Sequence, residues 1–363
     1  MQADADGDFW ILFPEHMERF STEQGIPTLS RILTQTKLVD YYTHPKIWTI
    51  RIQKLRWVQR LVASWDGRTD SAGMKTLQLI ISTTDNNRDL LCLCSLLCSK
   101  LMNYWCTNYL VDDLNQSYLE KLPIRRIAFT TPAGERARLV EEGMDLTLPR
   151  PAATPSLSAS GEGGGRGVGE VPYAAFLDNP LGRWLDERLS PIHTPDPELV
   201  RQHNADPLNQ DWQLPEEGPV EQSDVVHDLL AHLAQQMIEM NKQKQTEVKG
   251  FLSWLEREIG ASLDDLTNKT KLLSYLGDYQ KGETHLTLDE VLDILRKNRR
   301  KLRVDPGQRA FQERLAREYQ ASLDRLLPLK GRLAATDRLI DLIVYRLYGL
   351  TEEDVAIVEG TCA

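Results

Sequence analysis

The sequence predicts an α+β protein: a small mixed domain over residues 41–130, followed by a mainly helical C-terminal region over 223–363. Three observations predict it. The stretch PKIWTIRIQ alternates, with Ile47, Thr49, Arg51 and Gln53 on one face and Trp48, Ile50 and Ile52 on the other, the period of a strand. Leu90, Leu91, Leu93, Leu96, Leu97, Leu101, Met102 and Trp105 cover most of one helical circumference, which marks a buried helix. From Ser223 onward, apolar residues recur at helical spacing over a long run.

Taken in order, residues 1–40 are weakly patterned and read as a leader or a truncated edge. After the Trp48 strand, RLVASW and TLQLIIS are two more short strand candidates, and Asp66-Gly67 between them is a hairpin-turn signal. Thr83, Thr84 and Asp85 offer N-caps for one helix from about Asn87 to Tyr104. A polar loop follows it. Residues 131–222 are rich in Pro, Gly and Ser, and cannot bury enough apolar surface to order themselves, so they read as a linker. Asn179 to Pro219, with seven prolines plus Trp184 and Trp212, is expected to lie extended over another surface. In the C-terminal region, Ser262–Asp265 and Thr287–Glu290 have capping-box spacing, and Asp305-Pro306 suits an N-cap and first-turn pair. Phe311, Leu315, Tyr319, Leu323 and Leu326 form a further stripe. TDRLIDLIVYRLYGL is expected to be a last long helix ending at Gly349, with a short one capped by Thr351 beyond it.

Composition narrows the class. No apolar run approaches the ~18 residues of a membrane span, and the acidic N-terminus has no signal core. Five cysteines in 363 residues are no disulfide framework, so a cytoplasmic setting is expected. Net charge is −10, yet residues 41–130 carry twelve Lys/Arg against seven Asp/Glu. An acidic chain with one basic segment suggests that this segment faces an anion.

The candidate chemistry lies there. Lys46, Trp48, Arg51, Gln53, Lys54, Arg56, Trp57 and Arg60 interleave cations with aromatics, and no acid occurs between Tyr41 and Trp65. Such a run suits a nucleic-acid backbone, with Arg able to read guanine and Gln53 adenine. Its plain alternative is a charged strand edge. The loop LVDDLNQSYLEKLPIRRI adds Asn115, Gln116, Ser117 and Tyr118 for bases or phosphates, and Lys121, Arg125 and Arg126 for phosphates. Its plain alternative is a helix exit whose side chains satisfy local backbone. A third basic run, RKNRRKLR at 296–303, reads first as a solvated helix end. Cys92, Cys94, Cys98 and Cys106 read as packing residues. His227 and His232 are five apart and share no helix face for a metal. GEGGGRGVGE lacks the strand and helix of a phosphate loop.

The segment LLCLCSLLCSKLMNYWCTNYLVDDLNQSYLEKLPI resembles the leucine-rich helix, Asn-Ser-Lys-Leu and Leu-Pro-Ile pattern of target-recognition domains. These belong to TaqI-like adenine-specific DNA methyltransferases and fused type IIG restriction-modification enzymes; the Asn-Ser-Lys-Leu position here is Cys98-Ser99-Lys100-Leu101. TDRLIDLIVYRLYGLTEEDVAIVEG is similar to the C-terminal helical part of the same enzymes. The resemblance implies double-stranded DNA as ligand and a methyltransferase or nuclease subunit as partner. The family's Asn-Pro-Pro-aromatic motif for a flipped adenine does not occur, nor does a glycine loop for S-adenosylmethionine. The chain is therefore expected to be a specificity subunit or gene fragment, not catalytic alone. S-adenosylmethionine, and Mg for any nuclease, are expected on a partner or a missing N-terminal region. The rival reading is a helical scaffold that binds proteins and never touches DNA.

Overall fold

The computed structural model describes residues 9–12, 17–22, 26–28, 42, 44–51, 59–68, 71–73, 76–82, 87–109, 114–147, 171–193 and 221–361. The α+β class holds. The chain divides into two compact units: one holds the described residues up to Ile238 together with Arg338 onward, the other holds Glu239–Asp337.

The first unit contains two sheets. The smaller has the order β4 (Ile26–Thr28), β1 (Phe9–Leu12), β7 (Ser71–Gly73); β1 runs antiparallel to β4 and parallel to β7. The larger has the order β2 (Met17–Glu18), β3 (Phe20–Thr22), β6 (Ala63–Asp66), β5 (Lys46–Ile50), β8 (Leu77–Ile81). β5 is flanked antiparallel on both sides, with Lys46 opposite Asp66 and Ile81. All five of its residues are buried, as expected of a strand covered on both faces. Trp48 lies over Gly73, where a Cβ would come within 2.5 Å of the indole.

Two sequence expectations are corrected here. Residues 1–40, expected to be weakly patterned, form strands where they are described: β1 is the middle strand of its sheet, and β3 pairs with β6. Strands of two to four residues are too short to show a period. Asp66-Gly67 is no hairpin turn, because β6 and β7 belong to different sheets. Asp66 instead turns the chain by accepting the Arg68 N–H on Oδ1 (3.1 Å).

The expected single helix is two, α1 (Asn87–Cys98) and α2 (Lys100–Tyr109), bent by 61° at Ser99. Ser99 Oγ donates to Leu96 O (2.7 Å) and accepts the Met102 N–H (3.3 Å), closing one helix and opening the next. The Lys100 N–H donates to Asp341 Oδ1 (2.8 Å), a distant carboxylate at the start of α2. α1 buries eight of its twelve residues, whereas α2 buries Met102 and Cys106 alone. Among the described residues no single helix is long and apolar enough to cross a membrane.

The expected linker over 131–222 is corrected as well. After the one-turn helix α3 (Gln116–Leu119), the chain forms α4 (Ala133–Thr147), α5 (Tyr173–Leu177) and α6 (Pro180–His193). Trp184 is not laid out in extended chain; it is 3% exposed and packs on Gly143, where a Cβ would sit 2.8 Å from its ring. Pro180 is the first residue of α6, a position that needs no N–H donor. Residues 148–170 and 194–220 lie outside the described residues.

Two long helices follow, α7 (Ser223–Ile259) and α10 (Arg309–Leu347), and the division between units falls within both. Between them come α8 (Lys269–Leu273) and α9 (Leu288–Lys297), with α11 (Glu352–Val358) last. Capping boxes are present at Thr287/Glu290 and Thr351/Asp354. Ser262 caps a single 3-10 turn, through Asp264 N–H, in place of the expected box. Asp305-Pro306 makes a turn ahead of α10, with the Gln308 N–H on Asp305 O (3.0 Å). The expected last helix is the continuation of α10, which runs through Pro328. In the second unit, Phe251, Tyr275, Leu295, Phe311, Leu315, Tyr319, Leu323 and Leu326 share one core, and Tyr275 and Ser322 hydroxyls meet inside it at 2.8 Å.

Candidate nucleic-acid interface

The first unit brings the two sequence candidates to one place. At the end of β5 the Arg51 N–H donates to Thr76 O (2.9 Å), and Arg51 O accepts the Leu114 N–H (2.8 Å). Leu114 heads the polar loop, so basic segment and loop share a hydrogen bond. The far side of the basic segment is held by α2: Asn103 Oδ1 accepts the N–H groups of Arg60 (2.7 Å) and Leu61 (3.2 Å). Gln53, Lys54 and Arg56 fall between these two anchorages and lie outside the described residues.

Several expected contact residues point inward, and the expectation is corrected for them. Lys46 is fully buried. Its ammonium donates to Tyr42 O (2.7 Å), Arg68 O (2.8 Å) and Ser71 Oγ (3.0 Å). Ser71 Oγ donates in turn to Asp66 Oδ2 (2.5 Å), which also accepts Trp48 Nε1 (3.1 Å) and Arg68 Nη2 (3.2 Å). Burial pushes the Asp66 carboxyl up, but Arg68, Ser71 and Lys46 together outweigh it and hold it below the ordinary range. All five residues of β5 are buried, so neither face of the strand is open for a cation to meet a ligand, and Lys46 balances the carboxylate opposite it. Arg60 is 4% exposed, and lies near the Cys106 thiol, which burial pushes up to about 12 against the pull of that arginine. The cysteines are packing residues: Cys92, Cys94, Cys98 and Cys106 are all buried.

Arg125 is likewise internal. Its guanidinium pairs with Glu221 Oε1 (2.5 Å) and donates to Leu347 O, and its N–H donates to Tyr348 Oη (3.0 Å). Burial outweighs the arginine at Glu221 and keeps that carboxyl above its ordinary range. Tyr348 Oη donates back to Pro123 O (2.8 Å), and Asp224 accepts both the N–H and the hydroxyl of Thr131 at 2.8 Å. Asp228 beside it takes Arg88 and Arg136 at 3.1 Å and His227 at 2.9 Å. The loop's second half is thus fastened just ahead of α7 and at the end of α10.

The outward face is what remains. Asn115 caps α3, accepting the Ser117 N–H (3.0 Å) and hydroxyl (2.6 Å), and Gln116 bonds to Glu120 (2.9 Å). These local bonds are those of the plain reading, though Gln116 and Ser117 are exposed. Lys121 is exposed with its ammonium 5.5 Å from the Tyr118 ring centre, and Arg126 is exposed. Sequence reasoning missed two residues. Asn103 is the clamp, recognisable only in three dimensions. Tyr109 is 67% exposed, its ring tilted by 33° to that of Trp105 with ring centres 5.6 Å apart, an open aromatic face of the kind on which bases stack. Its signal was the fall in apolar content after Met102.

Among the described residues no cluster of three or more His, Cys, Asp or Glu could hold a metal ion. A family model described as a domain of unknown function, DUF8810, matches residues 223–344, from the first residue of α7 into α10. No curated protein and no solved structure matches the chain.

Proposed function

We propose that the chain recognises double-stranded DNA as the specificity part of an adenine-methylating restriction-modification system. The observation that supports the reading most is the Arg51–Leu114 hydrogen bond, with Asn103 holding the other side of the basic segment. A segment carrying Gln53, Lys54, Arg56 and Trp57 without an acid is thereby anchored at both ends, at one of them to the head of the loop that carries Lys121 and Arg126. Phosphate contacts supply salt-sensitive affinity, and base contacts of about 1–3 kcal/mol each supply discrimination. In this reading methyl transfer, with S-adenosylmethionine, and any Mg-dependent cleavage belong to a partner.

The test is binding of the full chain to randomised duplexes, followed by a salt titration on the selected site. Lys54→Gln with Arg56→Gln is expected to erase the site preference. Lys121→Gln with Arg126→Gln is expected to flatten the plot of log K against log salt by about 1.8, near 0.9 per phosphate. No duplex retained at low salt would refute the reading. The scaffold alternative gains from Lys46, Trp48 and Arg125, whose inward use shortens the cationic face. It predicts no retention on heparin.

A further inference from the structure

The second unit departs from the acidity of the chain: residues 239–337 hold 19 Lys/Arg against 16 Asp/Glu, a net +3 in a protein of −10. Its cations are concentrated. Arg296, Lys297, Arg299, Arg300, Lys301 and Arg303 occur with no acid between Ile294 and Val304. They occupy the last turn of α9, the 3-10 turn Arg299–Lys301, and the residue pair that follows.

The turn is built rigidly. Asn298 is 2% exposed and carries three bonds: its Oδ1 accepts the Thr267 N–H (2.8 Å), and its Nδ2 donates to Thr267 O (3.0 Å) and Ile294 O (2.9 Å). The Arg303 N–H donates to Ile259 O (2.9 Å) at the end of α7, and the Arg303 stem covers Gly260. Lys301 Nζ donates to Asp265 O (2.6 Å). The cations are therefore presented from backbone that is already ordered, and little further entropy is lost when they meet a ligand.

Nor are they used up. Lys297 and Arg300 are exposed and enter no ion pair with a described residue. Arg296 pairs with Asp293 (3.0 Å) and Arg299 with Asp305 (2.9 Å), but these are exposed pairs that exchange readily for another anion. Asp264 is occupied by Lys269 (3.2 Å), which leaves the exposed Asp265, whose backbone oxygen takes Lys301, as the nearby acid that six cations outnumber. Complementing the α9 dipole needs one or two cations in the last turn, and six exceed that need.

We propose that the Arg296–Lys301 turn is a second, sequence-independent contact for the phosphate backbone of duplex DNA, with Lys297 and Arg300 as its principal cations. It shares its ligand with the function proposed above, but stands on residues of the other unit and requires no base reading.

The test uses the full chain and a mixed-sequence DNA duplex. Lys297→Gln with Arg300→Gln is expected to lower affinity for all duplexes alike and reduce the salt slope by about 1.8. Lys297→Arg with Arg300→Lys is expected to keep the slope, and circular dichroism and melting temperature are expected to stay at wild type in both. An unchanged slope in the Gln variant overturns the proposal, even where a site preference persists. Affinity lacking any site preference, but lost in the Gln variant, supports this contact while refuting the specificity reading. A chain that binds no duplex refutes both.

Discussion

Replacing Lys46 by Met separates a structural cation from a ligand-binding one. The side chain is fully buried, and its ammonium serves Tyr42 O, Arg68 O and Ser71 Oγ. Methionine matches its length but donates nothing. Three acceptors then lose a donor inside the sheet, and the Asp66 carboxylate loses one of the two cations that lower its pKa. Removing one member of a buried ionic cluster costs about 3–5 kcal/mol. An unmatched buried acceptor costs about 1–3 kcal/mol; Ser71 Oγ is buried and the bonds to Tyr42 O and Arg68 O are partly so, and three acceptors near the lower end of that cost fall in the same range. Lys46→Met should thus lower stability by about 3–5 kcal/mol, a large share of what a typical domain has. Urea unfolding followed by tryptophan fluorescence measures this, with Trp48 reporting from inside the cluster. The salt slope of duplex binding, taken on folded protein, should not change. Lys121→Gln should do the reverse, leaving the urea midpoint in place and flattening the slope by about 0.9. A Lys46→Met protein as stable as wild type, or one whose salt slope falls, would refute the assignment of Lys46 to the interior.

Three other outcomes are expected. Gly73→Ala would place a Cβ 2.5 Å from the Trp48 ring and force a buried indole aside, lowering the melting temperature by the equivalent of about 1–3 kcal/mol. Asp341→Ala removes the carboxylate that accepts the Lys100 N–H, and should cost about 1–2 kcal/mol in chemical denaturation, as lost helix caps do. Burial holds the His232 imidazole below its ordinary value of 6.5, so the unfolded chain takes up the proton more readily. Stability should be full above that value and decline as pH falls below it. His232→Gln should remove that part of the decline in urea midpoints measured across pH 5–8.

The long helices were legible because a 3.6 period sustained over many turns needs no tertiary knowledge, and the Thr287/Glu290 and Thr351/Asp354 boxes signal themselves locally. The strands around Trp48, Trp65 and Leu79 were legible for the analogous reason. What was not legible depends on partners far along the chain. The apolar run through α1 and α2 is continuous in composition, and only Ser99 with Asp341, 242 residues away, breaks it. Lys46 looks like a surface cation until β6 sets Asp66 opposite it. Arg125 looks like its neighbour Arg126 until Glu221 covers it. Helices α4 and α6 escaped notice because the proline-rich stretches around them set the composition of the whole interval. Of the candidate interface, sequence identified the exposed loop residues, but neither the Asn103 clamp nor the open Tyr109 ring.

The clamp carries an implication for biosynthesis. Asn103 sits one turn into α2, and the first N–H of α2 is held by Asp341, while the loop behind Leu114 is tied down by Tyr348. Asp341 and Tyr348 are synthesised long after the segments they hold. The proposed duplex-facing surface can take its final shape only once residues up to Tyr348 have been made, so a nascent chain that stops short of them would carry the basic residues without their alignment. Half-made protein should bind DNA loosely, if at all, and without preference for any site.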